Sequence, residues 1–196
     1  MNRNIILCGV GGQGIILASR LISAAAMAKN IPVMSAETIG MAQRGGSVFS
    51  HVRFGNEIYS PMIAAGTANL ILAFEPGEAV RMLPYLEPDG QIIVSAKPIM
   101  PITTTLNNIN YSGEKMIAYL RENVKNIYVV DTEKAVNFLG SAKILNIIML
   151  GFATKTGALG FSREEMRKQI AEKIAPRFHE LNFNALDYAF KLKVKK

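Results

Sequence analysis

The stretch Gly9-Val10-Gly11-Gly12-Gln13-Gly14 places its glycines at the Gly-x-Gly-x-x-Gly spacing. Between a strand and a helix that spacing has a physical use. The glycines turn the chain tightly and let backbone approach a ligand, and the helix N-terminus offers free N–H groups to an anion. Glu37, 23 residues beyond Gly14, stands where a dinucleotide site keeps the acid that holds ribose hydroxyls. A second cluster, Gln43-Arg44-Gly45-Gly46-Ser47, follows at once. A ribose–adenine pocket does not require it, and it would crowd the place where adenine lies. Its Arg44 guanidinium can grip carboxylate or phosphate through two parallel bonds, and Gln43 adds a neutral hydrogen-bond partner.

The remaining reactive residue types are sparse. Cys8 is the single cysteine, set in an apolar run, and reads as a small buried hydrophobe. One thiol builds no intramolecular disulfide and cannot supply an iron–sulfur cluster. His51 alternates onto one face of a strand near Arg53 and reads as structural or interfacial. His179, among mixed charges on a helix, reads as solvated. Neither has Cys, Asp or His neighbours at ligand spacing, so no metal site is expected. No Gly-x-Ser-x-Gly element or nucleophile–base pair is readable.

The elements that must position the glycine segments follow from periodicity. Asn4 to Cys8 is an apolar run ending at glycine, a buried strand; Gly14 to Lys29 is a helix of Ala, Leu and Ile; Ile31 to Ala36 is a second strand. Together they form a β-α-β unit with parallel strands and a right-handed connection. The helix is apolar nearly all round, as a helix buried against other protein would be. Ser47 to Phe54 alternates, and with Gly55-Asn56-Glu57 before Ile58-Tyr59 it predicts an inserted β-hairpin. Strands follow over 70–74, 91–95 and 127–130, with helices from Pro76 to about Leu83 and from Ser112 to Glu122. Pro88-Asp89-Gly90 is a turn, and residues 96–110 are an extended excursion. From about residue 141 the chain reads as helical. A capping box at Ser162 and Glu165 opens one helix, and Pro176 starts or kinks the last. The expectation is one α/β domain over residues 1–196, with a mostly parallel sheet and a helical C-terminal part.

Composition bounds the function classes. Of 196 residues 49% are hydrophobic and 19% charged, which is globular. No apolar run reaches the ~18–20 residues of a bilayer span, and no signal-peptide layout precedes the glycines, so a cytoplasmic protein is expected. The net charge of +7 is uneven: residues 1–54 hold five basic side chains against Glu37 alone, and lysines crowd the last six positions. The N-terminal excess points to an anionic ligand or acidic partner. Without aromatic–basic interleaving or zinc spacing, no nucleic-acid partner is expected.

The segment "GVGGQG", followed after a strand by "QRGGSVFSHVRFG" and by "YSP" at Tyr59 to Pro61, resembles the gamma-type subunits of 2-oxoacid:ferredoxin oxidoreductases. Its length and its "SHVR" form are most similar to the beta subunits of the indolepyruvate ferredoxin oxidoreductases. The resemblance covers most of the chain and is clearest over residues 4–95. It implies the fold of domain III of pyruvate–ferredoxin oxidoreductase. It also implies a multi-subunit enzyme that decarboxylates an arylpyruvate oxidatively, forms the acyl-CoA and reduces ferredoxin. On that resemblance thiamine diphosphate, magnesium and 4Fe–4S clusters lie in a large alpha subunit, this chain carries no cofactor, and it is inactive alone. The nearest echo of a thiamine-diphosphate motif, Pro88-Asp89-Gly90 with Asn107-Asn108, lacks the first glycine and the spacing. Gly11, Gly12, Gln13, Gly14, Gln43, Arg44, Gly45, Gly46 and Ser47 then form either a wall of the substrate or CoA cavity or a close-packed subunit interface. Three alternatives stay open: an NAD(P)-binding Rossmann protein, a gamma subunit for another 2-oxoacid (pyruvate, 2-ketoisovalerate or 2-oxoglutarate), and a subunit that only stabilises its partner.

Overall fold

A computed structural model describes residues 2–38, 45–100 and 111–194. Six strands form one sheet: β1 Arg3–Val10, β2 Val33–Glu37, β3 Ser47–Phe54, β4 Ala68–Ala73, β5 Leu86–Ser95 and β6 Asn126–Val130, in the order β2-β3-β1-β4-β5-β6. Strands β1, β4, β5 and β6 pair in parallel, while β3 is antiparallel to both β1 and β2. The helices described are α1 Ile15–Ala28, α2 Pro76–Met82, α3 Gly113–Asn123, α4 Thr132–Leu139, α5 Leu145–Lys155, α6 Arg163–Lys173 and α7 His179–Lys191.

Alternation along the central strands separates two cores. Ile5 and Leu7 of β1 face α1 and the C-terminal helices, where Leu21, Ile148, Leu150, Ile170 and Leu186 are buried. Ile6 and Cys8 face the thinner layer, with Ala79 and Met82 of α2 and Leu120 of α3. Near-continuous Ile, Leu and Val in β1, β4 and β5 suit strands covered on both faces.

Several expectations are refined. The strands of the β-α-β unit run the same way but are not neighbours, because β3 lies between them. The antiparallel partners of Ser47–Phe54 are β1 and β2, not residues 58–59, which form no strand. β1 offers β3 an eight-residue register from Arg3↔Phe54 to Val10↔Ser47, more pairing than a two-residue arm provides. Pro88-Asp89-Gly90 lies within β5, at a register irregularity, instead of forming a separate turn. Helix α4, capped by Asp131 and ended by left-handed Gly140, was not expected. The apolar surround of α1 is covered by the chain's own α5 and α6, with Lys29 paired to Glu165 at 2.8 Å. The caps at Ser112 and the capping box of Ser162 and Glu165 form as the sequence predicts. Gln43, Arg44 and the 101–110 part of the excursion lie outside the described residues.

Candidate functional site

Strand order reverses between β1 and β4. The chain leaves β1 through α1 on one face and leaves β4 through α2 on the other. Ligands of open α/β sheets bind at the carboxyl ends of the strands flanking such a switch, and here that place is occupied by the glycine corner. Gln13 N–H donates to the Val10 carbonyl at 3.2 Å and closes a turn. Gly12, third in that turn, has φ 99° and is exposed, with no atom within 4 Å of where a Cβ would stand. Backbone at this point is bare. Gly14 has φ 78° and ends the corner as the N-cap of α1, without a side-chain cap. A Cβ there would lie 2.6 Å from Nδ2 of the buried Asn146, which donates to the Gly14 carbonyl at 3.3 Å.

Gln13 has a role that its place among ligand candidates does not anticipate. Its Oε1 accepts from Val10 N–H at 2.7 Å and its Nε2 donates to the Phe74 carbonyl at 2.8 Å. The amide therefore ties the end of β1 to the end of β4. Gly9 permits this, since a Cβ there would come within 2.5 Å of Gln13 Oε1.

The two glycine segments are adjacent: Gly11 N–H donates to the Gly46 carbonyl at 2.9 Å. Gly45 is left-handed, at φ 78°. Ser47, exposed at the rim, donates from Oγ to Oε2 of Glu78 at 2.5 Å. Glu78 is buried in the first turn of α2, with Arg81 Nε 3.4 Å from the same oxygen. Its own N–H donates to Glu75 Oε2 at 3.0 Å, so Glu75 caps α2. Glu75 Oε1 accepts from the Tyr111 hydroxyl, which in turn accepts from Gly77 N–H at 3.1 Å. Burial, reinforced by the hydrogen bond to Glu75, pushes the Tyr111 hydroxyl well above the ordinary phenol range, so it stays a donor. Burial, and then the Glu78 and Glu75 charges, push the Cys8 thiol up and leave it inert. Asn146, Glu75, Glu78 and Tyr111 were missed in the sequence. The one local signal was Glu75 before Pro76, a cap followed by proline at the first helical position.

The other candidates fall away from this corner. The Glu37 carboxylate accepts from Ser19 Oγ at 3.1 Å and lies 3.8 Å from Arg20 Nε, so it is held against α1. His51 is buried, and its Nδ1 accepts from Ile63 N–H at 3.0 Å between the rings of Phe49 and Tyr85. His179 Nε2 bonds the Ile174 carbonyl at 2.7 Å. Among the described residues no three of His, Cys, Asp and Glu gather where they could hold a metal ion. No helix of the described residues is long and apolar enough to cross a membrane.

A doubly wound sheet with a glycine corner at its switch point defines an α/β class in which the corner, and not the sheet, decides the chemistry. The chain belongs to the pyruvate ferredoxin/flavodoxin oxidoreductase family, whose model matches residues 4–192. It is 36% identical to the indolepyruvate oxidoreductase subunit IorB of Methanothermobacter thermautotrophicus, over 97% of this chain and 97% of that one. It is 34% identical to the subunit of the same name from Pyrococcus horikoshii, over 96% of this chain and 94% of that one. Its fold is that of the pyruvate oxidoreductase subunit PORC of Thermotoga maritima, with TM-score 0.71 and 21% identity over 97% and 96% of the two chains.

Proposed function

We propose that the chain is the non-cofactor subunit of an arylpyruvate ferredoxin oxidoreductase acting on indolepyruvate. The observation that carries this reading is near end-to-end identity of 34–36% to two indolepyruvate oxidoreductase subunits. The complex takes a 2-oxoacid and coenzyme A to carbon dioxide and the acyl-CoA, and passes the two electrons released to ferredoxin. In this reading a large alpha subunit holds the thiamine diphosphate with its magnesium, which supplies the decarboxylation chemistry, and the 4Fe–4S clusters. The described residues do not fit those groups. Its single cysteine is fully buried and inert. Asp89 of the Pro-Asp-Gly segment lies in β5, 3.6 Å from Lys125. The protein is expected in the cytoplasm.

The part given to this chain is a wall. Gly11, Gly12 and Gly14 with Gly45, Gly46 and Ser47 present close-set backbone at the strand ends, and Gln13 holds that backbone still. Arg44, two residues before Gly46, supplies the wall's positive charge toward a substrate carboxylate or CoA phosphate, with Gln43 beside it. A dinucleotide reading is disfavoured because the Glu37 carboxylate is engaged by Ser19 and Arg20 on the flank of α1.

The test is co-expression with the large subunit and measurement of CoA-dependent viologen reduction, with indolepyruvate compared against pyruvate, 2-ketoisovalerate and 2-oxoglutarate. Preference for indolepyruvate supports the substrate assignment, and preference for one of the others reassigns the chain to that branch. Arg44→Ala in the assembled complex is expected to raise the KM for 2-oxoacid or CoA by about tenfold, the scale of one charged hydrogen bond. Unchanged KM values with intact assembly would restrict the glycines to interface packing.

A further inference from the structure

A buried carboxylate stands directly behind the glycine wall. Glu78 is only 7% exposed, on the helix whose Ala79 and Met82 pack in the apolar layer with Cys8. Burying a carboxylate is costly unless it is well paired, so the partners of Glu78 matter. Its Oε2 pairs with Arg81, which lies mostly in solvent, and with the Ser47 hydroxyl. Ser47 opens β3 opposite Val10, and the carbonyl of Gly46, just before it, receives the Gly11 N–H. The Ser47–Glu78 bond therefore fixes the point where the second glycine segment meets the first.

The bond is the last link of a chain running along the strand ends: Tyr111 to Glu75, Glu75 to the Glu78 N–H, and Glu78 to Ser47. Its far end gathers the two sides of the excursion after β5. Ile99 N–H reaches Glu75 Oε1 at 3.4 Å, and Pro98 packs where Gly113 has no Cβ.

We infer that Glu78, acting through Ser47, is a positioning residue that sets the placement of Gly45 and Gly46 in the partner-facing wall, and that Glu75 and Tyr111 anchor it. This rests on the reading of the chain as an oxidoreductase subunit. Glu78 touches no reacting atom in this scheme. Its carboxylate holds a hydroxyl whose backbone is the wall.

The experiment uses Glu78→Gln, Ser47→Ala, the double variant and Ser47→Thr in the assembled complex. Glu78→Gln and Ser47→Ala should each raise the KM for 2-oxoacid or CoA about fivefold or more, with kcat changed less than twofold. The double variant should be no worse than the stronger single one, because the pair acts as a unit. Ser47→Thr, which keeps the hydroxyl, should restore the wild-type KM. A fall in thermal stability with KM unchanged would overturn the inference, as would full additivity of the two substitutions. A second readout needs no catalysis. In the isolated chain, both single variants should speed amide hydrogen exchange at Gly11, whose N–H rests on Gly46, and Ser47→Thr should not. If the wild-type complex fails to turn over any 2-oxoacid, the function reading falls and exchange at Gly11 still decides the positioning role. Unaltered exchange in Ser47→Ala, the milder change at an exposed position, would end it.

Discussion

At one end of the paired strands β1 and β3 sits the glycine corner; at the other, where Arg3 faces Phe54, β3 runs on toward the loop Tyr59–Met62. Each end is held by one long polar side chain reaching inward. Gln13 bridges Val10 and Phe74 at the corner. Arg53 donates to Asn4 Oδ1 at 2.9 Å and to the carbonyls of Ser60 and Met62 at 2.8 and 3.2 Å in the loop. What they display differs. The corner shows backbone stripped of side chains, whereas the loop shows Tyr59 at 86% and Met62 at 54% exposure. A rigid frame and a chosen surface are thus separate properties: Gly9 and Gly14 serve the frame, where a Cβ would strike Gln13 or Asn146, and Gly12 belongs to the surface.

Breaking each frame should cost in proportion to its burial. Gln13→Ala removes two hydrogen bonds and leaves Val10 N–H and the Phe74 carbonyl unpaired. We expect a loss of about 2–4 kcal/mol in urea unfolding, the largest effect of the set. Arg53→Ala strips three bonds from a wetter site, and about 1–2 kcal/mol should be lost by the same measurement. A Gln13→Ala cost below that of Arg53→Ala would reverse the comparison.

A smaller and pH-dependent effect belongs to His51, which pins Ile63 directly after that loop. Burial holds its imidazole below the ordinary value of 6.5. The unfolded chain therefore takes up the proton first as pH falls. Stability is full above about pH 6.5, declines as pH drops below it, and levels off once the folded histidine is protonated. Urea midpoints between pH 8 and pH 5 should show this decline, and His51→Leu should flatten that part of the curve. The smallest change is at the displayed surface: Tyr59→Ser should leave stability within about 0.5 kcal/mol, because the side chain contributes little to the core. A larger loss would mean that the loop's side chains also build its frame.

Much of the frame was legible in the sequence and less of the site. The buried strands, α1 and the capping box of α6 follow from local patterns, because apolar runs and caps act over a few residues. The seating of β3 between β2 and β1 did not follow. Alternation says that a strand has two faces, not which neighbours it takes. Helix α4 was marked by Asp131 and Gly140, a cap and a left-handed stop, but its eight residues were too short for periodicity to declare. The meeting of the glycine segments depends on the seating of β3, because its antiparallel pairing with β1 brings Ser47 opposite Val10 and Gly46 to Gly11. The sequence places Gln13 in a cavity wall or a subunit interface, and nothing in "GGQG" reveals that Phe74, 61 residues away, takes its amide. Glu75 and Glu78 stayed hidden for the same reason: their partners Tyr111 and Ser47 are brought by the sheet and not by the sequence.

In the proposed function this chain completes a catalytic assembly that it cannot run alone. The most direct measurement is a titration of the purified large subunit with this chain, reading CoA-dependent viologen reduction by indolepyruvate at each ratio. Negligible turnover from either component alone and a rise that saturates at a fixed stoichiometry are expected. Full turnover by the large subunit without this chain would contradict the proposed function.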